Sequence, residues 1–199
     1  FSSFCQIASF ASKASQQLEI ANGQILIAEF AANCKDMAYG WNAVPSALAK
    51  KKERQAQINN LISRISSSRT RGYSDLNLLA QQATAIKSRS MREGEVESKL
   101  GKRVQKLAEN YQKIFGTMAI YRLKQALPVS SAQARIDTEL ESFKRAINLQ
   151  QDVDPVGAFA GIESKAYQLA DRMEEEAMLK RLDDTLRTVQ QLAARRRYY

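Results

Sequence analysis

The sequence predicts an all-α fold: an elongated antiparallel coiled-coil hairpin with additional helices at its N- and C-terminal ends. Three observations predict it. Eight glycines and three prolines among 199 residues leave long stretches without a helix breaker. No apolar–polar alternation of useful length occurs, so strands are not expected. Between Leu100 and Tyr121 the apolar residues Leu100, Val104, Leu107, Tyr111, Ile114, Met118 and Tyr121 recur at alternating steps of four and three. That is the seam of a coiled coil. With 44% apolar and 26% charged residues, the chain has the make-up of a folded protein rather than a disordered one.

Taken in order, residues 2–38 carry Phe4, Ile7, Ala8, Ala11, Ala14, Leu18 and Ala21 at helical spacing, with Gly23 a candidate kink. Tyr39, Gly40 and Trp41 lead to Pro45. Gly40 suits a helix C-cap and Pro45 a first helical turn, so a break is expected between them. A second helix should run from Pro45 to Ser68 on Leu48, Ile58, Leu61, Ile62 and Ile65. Arg69–Ser74 reads as the turn, with Gly72 free to adopt a left-handed conformation and Ser74 suited to cap the next helix. The third helix then passes Leu76, Leu79, Ala80, Ala83 and Ile86 into the seam and stops before Pro128. Gly94 and Gly101 read as weak points inside it, each costing roughly 1 kcal/mol relative to Ala. Unbroken, residues 75–127 would span about 80 Å at 1.5 Å per residue. A helix that long outruns a globular core and must pack along a long neighbour, most simply the preceding helix.

A fourth helix is expected from Ser130 on Ile136, Leu140, Phe143 and Ile147. Gln150–Pro155 is a turn with Asp154 as an N-cap. The last helix should cover 156–194, first on Phe159, Ile162, Ala166, Leu169 and Met173, then after a phase shift on Leu179, Leu182, Leu186 and Val189. Three segments follow: an N-terminal amphipathic helical segment at 1–44, a basic coiled-coil hairpin at 45–127, and C-terminal helices with a basic aromatic tail at 128–199.

Charge is distributed unevenly along these segments. Thirty basic and 21 acidic residues give a net +9. Residues 50–127 hold 17 basic and six acidic residues, a net +11, while 1–49 and 128–199 are each at −1. Such a field attracts polyanions, anionic membranes or acidic proteins. Lys50, Lys51, Lys52 and Arg54 form one candidate anion or acidic-partner site, and Arg195, Arg196 and Arg197 ahead of Tyr198 and Tyr199 form another. At the N-terminus Phe1, Phe4, Ile7 and Phe10 are candidates for docking into a membrane interface or onto a partner. Nucleic-acid binding is disfavoured, because the basic run at 50–71 has only Tyr73 as a nearby stacking aromatic.

Catalytic patterns are absent. The chain has no histidine, which removes the commonest general base and metal ligand. It has no phosphate-binding glycine loop, no dinucleotide fingerprint and no nucleophile elbow. Glu174, Glu175, Glu176, Asp183 and Asp184 lie on a helix whose adjacent positions diverge by about 100°. Pairs such as Glu175 or Glu176 with Lys180 therefore read as surface ion pairs. Cys5 and Cys34 are expected as buried apolar residues. No enzyme activity, metal or cofactor is expected. No run of 18 apolar residues occurs, so no transmembrane helix is expected. With Phe1 rather than Met at the start, a removed targeting segment is one expectation.

Ala158-Phe159, Ile162-Glu163 and Lys165, followed by Arg172–Ala177 (RMEEEA), resemble a motif of the phage-shock-protein A family, which includes the plastid and cyanobacterial vesicle-inducing protein. Gln105-Lys106-Leu107, Tyr111, Tyr121-Arg122-Leu123-Lys124 and Ala126 resemble the end of that family's long hairpin. The resemblance implies a non-enzymatic helical hairpin that polymerises and acts on anionic membranes. It also implies a peripheral location, at a plastid thylakoid surface or in a bacterial cytoplasm, with the protein itself as partner. A second reading rests on charge alone: a basic linker joining acidic subunits of a large assembly such as a phycobilisome.

Overall fold

The computed structural model describes residues 2–117, 129–148 and 155–196, and among them there is no strand. Five helices follow one another: α1 Ser2–Arg71, α2 Leu76–Thr117, α3 Val129–Ala146, α4 Pro155–Ala170 and α5 Met173–Arg196. The all-α reading holds, and α1 and α2 pack against each other as a hairpin. The expected break at Gly40–Pro45 does not occur, since α1 runs through both residues. Pro45 forfeits one backbone hydrogen bond there. Buried residues continue on either side of it, from Cys34, Met37 and Ala38 to Val44 and Leu48, and that packing outweighs the local loss. The single helix expected over 156–194 is divided at Asp171–Arg172, where the apolar stripe changes phase.

Two compact units divide the chain, residues 1–42 with 104–163 and residues 43–103 with 164–199. Each is discontinuous in sequence, whereas the three expected segments are consecutive. The first unit buries Cys34, Met37 and Ala38 of α1, Val104, Ala108 and Tyr111 of α2, and Phe143, Ile147 and Ile162. Gly40 is a contact position rather than a helix end. A Cβ there would lie 2.7 Å from Cγ2 of Val104. Just past the end of α3, Asn148 has a φ of 54°, the left-handed geometry that follows many helices. The seam residues Val104 and Tyr111 are buried, and Leu100 and Leu107 are half-buried. The side chain of Ile114, together with Met118 and Tyr121, lies outside the described residues.

The second unit packs the later part of α1, the first part of α2 and all of α5. Its core is Ile58, Leu61, Ile62 and Ile65 of α1, Leu76, Leu79 and Ala83 of α2, and Leu179, Leu182, Val189 and Ala193 of α5. The hairpin closes at Gly72, whose φ of 96° provides the expected left-handed residue just past α1. Asp75, not Ser74, is the cap of α2, because its carbonyl accepts the Leu79 N–H at 2.9 Å. In the serine-rich end of α1 the hydroxyls find their partners in the preceding turn of the helix. Ser66 donates to the Ile62 carbonyl, Ser67 to Ser63 and Ser68 to Ile65.

Candidate functional site

Four basic residues, Lys50, Lys51, Lys52 and Arg54, were expected to hold an external anion, and the second unit turns two of them inward. Arg54 is 0% exposed. Its Nε donates to Glu175 Oε1 at 2.5 Å, and Nη2 donates to Glu175 Oε2 at 3.0 Å and Glu97 Oε2 at 2.6 Å. Nη1 donates to Glu97 Oε1 and Glu93 Oε2, both at 3.0 Å. The planar guanidinium thus fills its donor fork with carboxylates from two other helices, an arrangement suited to Arg and not to Lys. Ser90 adds a hydrogen bond to Glu175 Oε1 at 2.6 Å. Ser90, Glu93 and Glu97 sit at helical steps of three and four, so one face of α2 presents all three. Glu175 stands in the first turn of α5, where the helix dipole favours an anion.

Lys51 lies nearly one turn earlier on α1 and is 5% exposed. Its Nζ donates to the backbone carbonyls of Gln168, at 2.7 Å, and Asp171. Those carbonyls belong to the end of α4 and the break that follows. Ser98 Oγ donates to the Ala170 carbonyl at 3.0 Å, and Asp171 Oδ1 accepts the Met173 N–H at 2.9 Å to start α5. A Cβ on Gly101 would lie 2.6 Å from the Ala170 nitrogen and 2.7 Å from the Ala166 oxygen, while one on Gly94 would meet the Arg172 guanidinium at 3.3 Å. The glycines that read as helix weaknesses are places where the α4–α5 junction lies directly on α2. The whole cluster is a clasp. Lys51 holds the carbonyl end of α4, Arg54 holds the acid at the start of α5, and α2 closes over both.

The electrostatics follow from this geometry. Burial alone would raise the Glu175 carboxyl, but hydrogen bonds from Arg54 and Ser90 and the charges of Arg54 and Lys51 reverse it, leaving it lowered. Burial lowers the Lys51 ammonium despite Glu175, Asp171 and Glu97 nearby. Glu175 is therefore no surface partner of Lys180. Glu176 approaches Arg172 Nε at 3.9 Å instead.

Lys50 and Lys52 remain exposed, as do Arg195 and Arg196 in the last turn of α5. Phe1 and Arg197 lie outside the described residues, as do the side chains of Phe4, Ile7 and Phe10. These four exposed cations belong to the second unit. Residues 43–103 and 164–199 contain 21 basic and 11 acidic residues, a net +10. The other unit contains nine basic and ten acidic residues, a net −1.

An open groove in the second unit is lined by Glu53, Gln57, Asn60, Leu61, Arg64, Gln82 and Ile86. It holds amides and a carboxylate but no nucleophile paired with a base. Among the described residues no helix is long and apolar enough to cross a membrane, and no group of three or more Cys, Asp or Glu side chains is placed to hold a metal ion. Sequence reasoning missed Ser90, Glu93, Glu97, Ser98 and the inward role of Glu175. A signal was present: Ser90, Gly94, Glu97 and Gly101 continue the three-and-four spacing of Leu76, Leu79 and Ala83 toward Val104. No family model, curated protein or solved structure matches the chain.

Proposed function

We propose that the chain is a non-enzymatic helical scaffold that self-assembles and associates with anionic membrane surfaces through its second unit. One observation carries the reading: the net +10 is confined to one unit, after its buried Lys51 and Arg54 have been counted together with the carboxylates they hold. Six acidic residues are on residues 164–199 of that unit, and Glu93, Glu97 and Glu175 are spent inside the clasp. The exposed remainder is a cationic surface on a rigid helical support. Cations near an anionic leaflet add roughly 1 kcal/mol each, so a handful suffices for peripheral binding. The motif resemblance to the phage-shock-protein A family supports self-assembly and a membrane setting.

The test is flotation of the full chain with vesicles of equimolar phosphatidylcholine and phosphatidylglycerol, beside vesicles of phosphatidylcholine alone. The chain should float with the first at low salt and not with the second. Failure to float with the anionic vesicles refutes the reading.

A further inference from the structure

Within the second unit the cations are not evenly spread. Residues 60–86 and 185–196 make up the end of the unit that carries the α1–α2 turn and the C-terminus of α5. They contain six arginines, no lysine and a single acid, Asp75. The acids of the unit gather instead toward the clasp, at Glu53, Glu93, Glu95, Glu97, Asp171, Glu174, Glu175 and Glu176, with Asp183 and Asp184 between. Packing brings the arginines to one place. α1 and α5 run side by side from the Arg54–Glu175 pair and both terminate at the turn, where the Arg196 guanidinium lies 5.9 Å from the centroid of the Tyr73 ring. Arg64, Arg69, Arg71, Arg187, Arg195 and Arg196 are all exposed, and none of them pairs with a carboxylate among the described residues.

Capping explains part of this. Arg69, Arg71, Arg195 and Arg196 stand in the last turns of their helices, where the dipole favours cations. That effect fades within one turn, so it accounts neither for Arg64 and Arg187 nor for the missing acids. Like charges gathered without counter-charges repel one another, and an anionic surface that covers them relieves that repulsion.

Resting on the membrane reading above, we infer that the turn end of the second unit is the part that meets anionic lipid, through Arg69, Arg71, Arg195 and Arg196 with Arg64 and Arg187 behind them. Two features favour a lipid headgroup layer over nucleic acid. The arginines are carried on the end of a helical bundle around a turn, so they can bear on a plane of phosphates. Tyr73, the one aromatic at that end among the described residues, is half-buried and covered by Arg196, so its ring is a poor platform for stacking bases. Guanidinium groups also bind phosphate oxygens bidentately, which fits a cluster made of Arg alone.

The experiment compares three forms of the full chain on equimolar phosphatidylcholine–phosphatidylglycerol vesicles. One carries Arg69→Gln, Arg71→Gln, Arg195→Gln and Arg196→Gln. A second loses the same charge elsewhere on the unit through Lys102→Gln, Lys165→Gln, Lys180→Gln and Arg181→Gln, all exposed positions. The third, Ser74→Glu, adds one negative charge at the exposed turn and removes no arginine. Partition should fall about tenfold or more for the first, less than about threefold for the second and about fivefold for the third. Wild-type protein that ignores these vesicles overturns the membrane reading itself. Wild-type binding with equal losses in the first two forms, or no loss in the first and third, overturns only the assignment to the turn end. Single-stranded RNA bound in place of vesicles, and released by the first form alone, would give the end to nucleic acid and overturn the proposal.

Discussion

Replacing Arg54 by Met removes the cation from the clasp while keeping an unbranched apolar stem. Glu175, with a side chain 1% exposed, loses both Arg54 hydrogen bonds and keeps only Ser90. Glu97, with a side chain 9% exposed, loses two more. Glu93 is a third exposed and keeps Arg89 at 2.9 Å, so its share is under about 1 kcal/mol. Two buried carboxylates that lose their hydrogen-bonded counter-charge, and keep only the nearby Lys51 ammonium that bonds to neither, should cost about 3–5 kcal/mol. With a urea dependence of about 1–3 kcal/mol per molar, the unfolding midpoint should drop by about 1–5 M in circular dichroism at neutral pH. The pH dependence should change sign. In the wild type the Glu175 carboxyl is lowered, so its contribution is present above about 4.5 and is lost as pH falls below it. In the variant burial persists and the opposing arginine is gone, so the folded carboxyl is raised. Its protonation then restores stability as pH falls from neutral toward the ordinary carboxylate range. Arg54→Met unfolding at the wild-type midpoint, or losing stability on acidification as the wild type does, would refute the clasp.

Glycine substitutions should separate close approach from helix propensity. Gly101→Ala must displace backbone atoms of Ala166 and Ala170 and should lower stability by about 1–3 kcal/mol in thermal unfolding. Gly161→Ala meets nothing within 4 Å and should raise it by about 0.5–1 kcal/mol. Equal effects would contradict the packing of α4 on α2. Burial, with the charge of Glu139 adding to it, pushes the Cys34 thiol up to about 12. Iodoacetamide at pH 8 should therefore modify Cys34 at least about 100-fold more slowly in the folded protein than in urea, by peptide mass spectrometry. Rapid native labelling would place Cys34 at the surface.

The helices were legible because their apolar residues repeat at three and four, and the left-handed Gly72 because only a glycine stood in a short polar turn. The continuity of α1 through Pro45 was not, since a local breaker signal carries no information about the packing that overrides it. The Asp171 break was half visible, as a phase shift with no cause attached. The clasp was hidden for a physical reason. Lys51 and Arg54 belong to a run of cations that looks like a solvated face, and their partners Glu175, Glu97 and Gln168 are remote in sequence. Periodicity predicts which face of a helix is buried, but polar residues on that face are discounted when only apolar ones are counted. Ser90 and Glu97 are in register with that face but add nothing to an apolar pattern, and Gly94 and Gly101 read there as helix weaknesses rather than contacts. The cationic surface moved accordingly, from a run at 50–54 to the exposed remainder of the second unit.

The central claim is that this surface engages anionic membrane electrostatically. It is tested most directly by the partition of the full chain onto phosphatidylglycerol-containing vesicles across a salt titration. The account predicts tight association at low ionic strength and steep release as the Debye length falls from about 30 Å at 0.01 M to about 8 Å at physiological salt. Association that is absent at low salt, or that persists unchanged through the titration, would contradict it.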